Sequence, residues 1–429
     1  MIKTNHIKGS PSQGLLAATL GFFFGSAAIS LFGPTAKILN EVMNLSPTMM
    51  GLLVSIPILS GSLLRIPFGA AVDENGGSKP FIWLMVLSVV GLAGLSVLLA
   101  TCYPHNMDGT YWLILLLGCL SGCGVATFSV GAGQTSYWYP KSKQGFALGI
   151  FGGFGTLGAG VFAIALPILL QNLGFVNAYF AWTIFLILGT IIYVVLSCNA
   201  YYFQHLKKNG NKAESMNLAK QSGQELFPSG NMKESLAASA KVIETWMLVA
   251  VYFVSFGGFI ALTAWLPTYW QNAHGFSLTK AGIFTASYAC LAALLRIPGG
   301  KISDGIGGVK VSLFSMTLLG VSALFMSFST NWALSGICTL FIAVAFGLNN
   351  AAIMKLVAVY VPKSVGGASG WVGGLGAFGG FLLPPIMGKV VHAMGELGYS
   401  RGFLLFVIMS VMSIGIIYFG LIVRNKNKS

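Results

Sequence analysis

Two arginines in otherwise apolar surroundings are the residues of this sequence best equipped for chemistry: Arg65 within Leu63-Leu64-Arg65-Ile66-Pro67, and Arg296 within Leu294-Leu295-Arg296-Ile297-Pro298. A guanidinium is a planar, permanently charged fork of N–H donors that suits carboxylates and small planar oxyanions. At the centre of a bilayer it costs roughly 2.5–3.5 kcal/mol on insertion scales, so it is expected to face a polar cavity or a ligand. Lys355 is a third cation placed in this way. The other 21 of the 24 Lys and Arg, and all ten acidic residues, fall in loops, in tails or at the ends of apolar stretches. Positive charge without a carboxylate partner predicts an anionic substrate. Other chemistry is excluded by what the sequence lacks. The five histidines are scattered in or near loops, the six cysteines show no disulfide or metal spacing, and no nucleophile and base or carboxylate pair stands out. Gly153-Phe-Gly155-Thr-Leu-Gly158 fits G-x-G-x-x-G, but it sits in an apolar stretch with no βαβ unit around it. The sequence predicts no enzyme, no cofactor and no metal.

The elements that must hold these cations are membrane helices. With 55% hydrophobic and 8% charged residues, and a mean hydropathy of +0.79, the 429-residue chain has too little polar surface for a water-soluble globule. Apolar stretches long enough to span a bilayer lie near 14–38, 47–72, 80–101, 110–139, 143–170 and 177–203, then near 242–270, 279–303, 310–330, 332–361, 364–391 and 400–423. The fold class expected is an all-α integral membrane protein with twelve transmembrane helices in two pseudo-symmetric halves, residues 1–203 and 242–429. Residues 204–241 between them read as a mobile linker with at most a short surface helix. Residues 1–14 read as a cytoplasmic tail and not a cleaved leader. With both ends inside, 17 of the 24 basic residues fall on the linker side, and only Lys37, Lys280, Lys389 and Arg401 fall on the other. That is the positive-inside pattern of a multi-pass membrane protein, and the location expected is a cell membrane of the bacterial inner-membrane type. The net charge of +14 therefore reports orientation and contact with the lipid bilayer, not nucleic acid.

Two repeats carry the symmetry. At an offset of 231, Arg65 matches Arg296, Gly69 matches Gly300, Asp73 matches Asp304, Gly77 matches Gly308 and Lys79 matches Lys310. At an offset of 221, Gly149, Gly152, Gly153 and Gly155 match Gly370, Gly373, Gly374 and Gly376, just after Pro140-Lys141-Ser142 and Pro362-Lys363-Ser364. Glycines at three- and four-residue spacing let membrane helices approach and slide closely, so spans 5 and 11 are expected to pack and gate.

Twelve spans in two halves, with Gly69, Asp73, Gly76, Gly77 and Lys79 after span 2 and a copy after span 8, resemble the major facilitator superfamily. Within it the chain resembles the nitrate/nitrite porters. That likeness rests on the segment from Tyr139 to Gly149, on the two span arginines, and on Tyr252-Phe-Val-Ser-Phe256-Gly257-Gly258-Phe259-Ile260 in span 7. The resemblance implies that Arg65 and Arg296 bind the anion with Tyr252 and Phe256 beside it, that Asp73 and Asp304 belong to the gating loops, and that the protein is a monomer. The chain departs from that family at Phe151 and Thr156, where asparagines are usual, at Gln134, and at Lys355. Gln134 and Lys355 are therefore expected in an altered polar shell around the anion. Alternating access by anion exchange is expected, since no mid-span carboxylate can carry a coupling proton. A porter of mono- or dicarboxylates, or an anion-binding membrane sensor, would use the same charges.

Overall fold

Each Leu-Leu-Arg-Ile-Pro string interrupts its own helix one residue before the arginine. Pro67 has no N–H to offer Leu63, and Pro298 none to offer Leu294. Helix Pro47–Leu63 accordingly yields to Arg65–Asn75 through Leu64, and Leu278–Leu294 yields to Arg296–Ile306 through Leu295. Among the described residues, these two broken helices belong to a set of twelve long enough and apolar enough to cross a membrane. Spans 1–6 are Pro11–Ser30, Pro47–Glu74, Ser78–Cys102, Tyr111–Trp138, Ala147–Leu173 and Phe175–Leu196. Spans 7–12 are Ile243–His274, Leu278–Ile306, Gly308–Phe328, Trp332–Val357, Gly367–Met394 and Leu397–Val423. The computed structural model describes residues 7–140, 143–228, 232–361 and 365–424, so most of the two matched Pro-Lys-Ser steps lies outside the described residues.

Span 1 ends earlier than the hydropathy suggests. Gly33 packs directly on the Ala264 carbonyl of span 7, and the chain turns there into a separate short helix, Ala36–Met43. The two halves meet through glycines. A Cβ added at Gly51 of span 2 would lie 2.6 Å from the Pro384 carbonyl of span 11, and one at Gly282 of span 8 would lie 2.5 Å from the Ala163 carbonyl of span 5. One at Gly388 would lie 2.5 Å from the Pro47 carbonyl. Real Cβ atoms do not tolerate such distances, so backbone meets backbone and the halves are sealed on the side away from the linker. Toward the linker the same helices spread, and a Cβ at Gly149 or Gly300 would meet nothing within 4 Å.

The linker is more ordered than its composition suggests. It contains the helices Tyr201–Asn209, Lys212–Gln221 and Met232–Ala240. The first two bury Tyr202, Phe203 and Ala219 against Trp138 at the end of span 4. The third is bonded to span 11: Ser235 Oγ accepts from the Gly367 amide at 3.2 Å, and the Leu236 carbonyl accepts from Trp371 Nε1 at 3.0 Å. A mostly polar segment is ordered here by the apolar surface that the spans offer at their ends.

Candidate functional site

The helix break at Leu64 turns Arg65 into the interface between the halves, where it is 1% exposed. Its Nε donates to the Gly61 carbonyl one turn back at 3.0 Å, Nη2 donates to the Val125 carbonyl of span 4 at 3.4 Å, and Nη1 crosses to the Gly373 carbonyl of span 11 at 3.3 Å. Val125 comes within reach because span 4 tightens into a 3₁₀ stretch over Gly122–Ala126. There Gly122 lets the Pro57 backbone of span 2 press in. Phe128 and Phe256 flank the guanidinium, with ring centroids 4.9 and 5.0 Å from Cζ.

Arg296 is half-buried and reaches the other way. Nη1 donates to Thr156 Oγ1 of span 5 at 3.3 Å, and Nη2 donates to Tyr252 Oη of span 7 at 3.3 Å. Thr156 Oγ1 in turn donates to the Gly152 carbonyl at 2.5 Å. Gly152 and Gly373 are equivalent under the offset of 221, so each arginine is tied to the same carbonyl of the opposite glycine-rich helix, Arg65 directly and Arg296 through a hydroxyl. The isoleucines that follow repeat the crossing: Ile66 packs on Gly374, and Ile297 on Gly153. The two sequence repeats thus meet crosswise.

Arg296 lies over the same two rings, 5.6 Å from Phe128 and 5.3 Å from Phe256. The ring centroids are themselves 5.8 Å apart, so the triangles they form leave the two Cζ atoms at most about 9 Å from each other. At that separation and an effective dielectric of about 20, repulsion is about 2 kcal/mol. Among the described residues, the groups that touch the two cations are all neutral: carbonyls, hydroxyls and ring faces. A single negative charge seated between them would reverse the sign of the local energy. Gly152 leaves space beside them, since it is buried and a Cβ there would meet nothing within 4 Å.

The expected aromatics belong to this group. Five residues of span 7, Phe253–Gly257, are wound as π-helix. The wider turn stacks Tyr252 on Phe256, with centroids 5.0 Å apart, on the face that meets the arginines. Gly376 admits the Tyr252 ring, 2.6 Å from where a Cβ would stand. Gly155 similarly admits Phe22. Gly370 touches the linker residue Leu236.

The remaining expected residues make their contacts elsewhere. Gln134 accepts from Tyr193 Oη at 2.8 Å and donates to the Cys198 carbonyl at 3.0 Å, which ties the end of span 4 to span 6. Lys355 pairs with Asp304 at 2.7 Å and donates to the Ser303 carbonyl at 2.6 Å, with side chains 31% and 75% exposed. The third cation therefore has a carboxylate of its own. Asp73, the counterpart of Asp304, accepts from Tyr137 Oη at 2.5 Å. Both aspartates, expected in gating loops, stand in the last turns of their helices and hold the neighbouring span 4 or span 10 near the linker-side end of the bundle.

Sequence reasoning missed Phe128, the ring shared by both arginines, because a lone aromatic in an apolar span carries no signal. It noted Thr156 only as a departure, although that hydroxyl is the link from Arg296 to Gly152. Phe151 stacks behind Phe128 at 5.7 Å and forms a second layer.

The sequence matches the family model of the Major Facilitator Superfamily over residues 18–304 and 277–429. It is 28% identical to the probable nitrate/nitrite antiporter NarK1 of Thermus thermophilus, covering 92% of this chain and 89% of that one. It is 29% identical to the nitrite extrusion protein of Bacillus subtilis, with coverages of 94% and 91%. It is 30% identical to the probable nitrate/nitrite transporter NarK2 of Mycobacterium tuberculosis, with 90% of each covered. Its fold is similar to that of the xylose transporter XylE from E. coli in a partially occluded inward-open conformation, with a TM-score of 0.74, 14% sequence identity, and 96% of this chain and 99% of that chain covered.

Proposed function

The chain belongs to the Major Facilitator Superfamily, and from that premise we propose that it carries nitrate and nitrite by alternating access, exchanging one anion for the other. The observation that carries the reading is the crosswise pair of arginines, one from each half, whose contacts are all neutral and which repel each other while no anion is bound. Closing the halves around an empty site keeps two like charges together in a low dielectric, and a bound monoanion offsets that cost. Alternating access then links movement of the halves to occupancy.

Nitrate and nitrite fit because they are small and planar, so each can present oxygens to two forks, and because the curated relatives bear those names. Exchange rather than proton symport is supported by the placement of acid groups. Asp73 and Asp304 lie at the linker-side ends of their helices, engaged with Tyr137 and Lys355, and not beside the arginines. The positive-inside pattern supports a cytoplasmic linker, and on that orientation the seal at Gly51, Gly282 and Gly388 serves as the external gate.

Proteoliposomes test this directly. Labelled nitrate uptake is expected into vesicles loaded with nitrite or nitrate, and not into empty vesicles driven by a pH gradient alone. Strong uptake under the pH gradient with no internal anion would overturn exchange. Competition by formate or oxalate as effective as that by nitrite would turn the reading to organic anions. Saturable anion binding with no counterflow would favour a sensor.

A further inference from the structure

The internal repeat allows each residue of the site to be matched with a counterpart in the other half, and one of these counterparts has a polar group without a partner. Span 4 corresponds to span 10 at an offset of 222, the offset that relates Pro140 to Pro362. Contacts in the structure confirm the register on both sides of the site. Gly61 packs on Val125 of span 4, and its counterpart Ala292 meets Gly347 of span 10. Val72 meets Gly133, and their counterparts Ser303 and Lys355 are bonded to each other. Between these two checkpoints both spans have the same number of residues, so Phe128, the ring over Arg65, corresponds to Asn350.

Asn350 is 1% exposed, and its Oδ1 is buried with no hydrogen-bond partner among the described residues. An orphaned amide oxygen inside a membrane bundle is costly unless something meets it during the working cycle. Its neighbour Asn349 differs in its oxygen: Oδ1 accepts from Ser312 of span 9 within the half, while its Nδ2 is buried without a partner among the described residues. One turn toward the sealed side, Phe346 packs on Gly258 of span 7, which places the face carrying Asn350 toward the span that supplies Tyr252 and Phe256.

We propose that Asn350 is an anion ligand contributed by the C-terminal half, standing to Arg296 as Phe128 stands to Arg65. Its Oδ1 accepts from the Arg296 guanidinium, and its Nδ2 donates to an oxygen of the bound anion. The site is then lopsided, with an aromatic wall in one half and a carboxamide in the other. Thr156 cannot supply such a donor, because its hydroxyl proton is committed to Gly152 and its lone pair to Arg296. The amide favours anions with directional oxygen acceptors over chloride. This inference rests on the anion-site reading above.

The test is isothermal titration of the purified full chain with potassium nitrate, potassium nitrite and potassium chloride, together with its melting temperature. Asn350→Leu is expected to weaken nitrate binding about tenfold, equivalent to about 1.4 kcal/mol. It should leave chloride binding unchanged and the melting temperature equal or higher, since an orphaned polar group is removed. Asn350→Asp, which puts a fixed carboxylate where the anion belongs, should weaken nitrate binding more strongly than Asn350→Leu. Asn349→Leu should lower the melting temperature and leave nitrate affinity in place. Nitrate affinity of Asn350→Leu within twofold of the parent, while Arg65→Lys loses affinity, would overturn this inference and leave the anion site standing. Parallel loss of melting temperature and affinity in Asn350→Leu would show a structural role and overturn it too. A parent protein that binds none of the three salts would remove the anion-site reading itself.

Discussion

Replacing Arg65 with lysine keeps the charge and removes the fork. In the parent, three nitrogens of one plane reach the Gly61, Val125 and Gly373 carbonyls at 3.0–3.4 Å, while the faces of that plane lie under Phe128 and Phe256. An ammonium is a point charge with three donors and no plane. It cannot hold its own helix, reach span 11 and present parallel donors to an anion at once. Hydrogen bonds to charged groups contribute about 1.5–3 kcal/mol each, and an exposed to partly desolvated cation–π contact contributes about 0.5–2 kcal/mol. Loss of one bond to the anion with part of the stacking predicts about 2–3 kcal/mol. That is a roughly 30- to 150-fold weaker nitrate affinity. Titration of the purified variant with nitrate reads this directly, and counterflow in proteoliposomes should show the same rise in half-saturation. The melting temperature serves to separate lost binding from lost folding. An Arg65→Lys protein that melts like the parent and binds nitrate within threefold of it would refute the two-fork argument.

Lys355→Gln removes an ion pair that is largely open to solvent, and such pairs contribute about 0–1 kcal/mol. It is expected to leave the preference for nitrate over nitrite and oxalate within twofold in competition assays, and a changed preference would return Lys355 to the substrate site. Gly152→Ala should fold normally, since its Cβ has open space, yet reduce nitrate uptake by occupying the room beside the arginines. Gly160→Leu, whose Cβ would stand 2.5 Å from Cys290 Sγ, should instead lower the melting temperature. Gly51→Leu is expected to wedge spans 2 and 11 apart at the seal. Cysteines introduced near the site should then label faster with impermeant reagents from the side away from the linker, and unchanged labelling would argue against that seal.

The sequence by itself determined the class of protein, the number of spans, the division into halves, and the two cations proposed to bind the anion. These are properties of composition and repetition: hydropathy counts spans, and a guanidinium without a neighbouring acid announces an anion. The helix breaks one residue before each arginine were not read from the chain, although the proline two residues after each arginine accounts for them once seen. What tertiary structure decided was who meets whom. Lys355 looked like a third site cation because a carboxylate 51 positions away cannot be seen as a partner along the chain, but packing of span 10 on span 8 puts Asp304 at 2.7 Å. Gln134 looked like part of the polar shell, yet its bonds go to Tyr193 and Cys198 at the end of span 6. Phe128 and the Gly373 carbonyl were silent, since an apolar ring and a backbone oxygen have no composition that marks them. They matter only because helices from opposite halves cross at the level of the arginines. Charge and repeat are written locally in the chain, while the partners of a buried charge are set by long-range packing, and only the folded bundle shows that the two repeats clasp each other across the site.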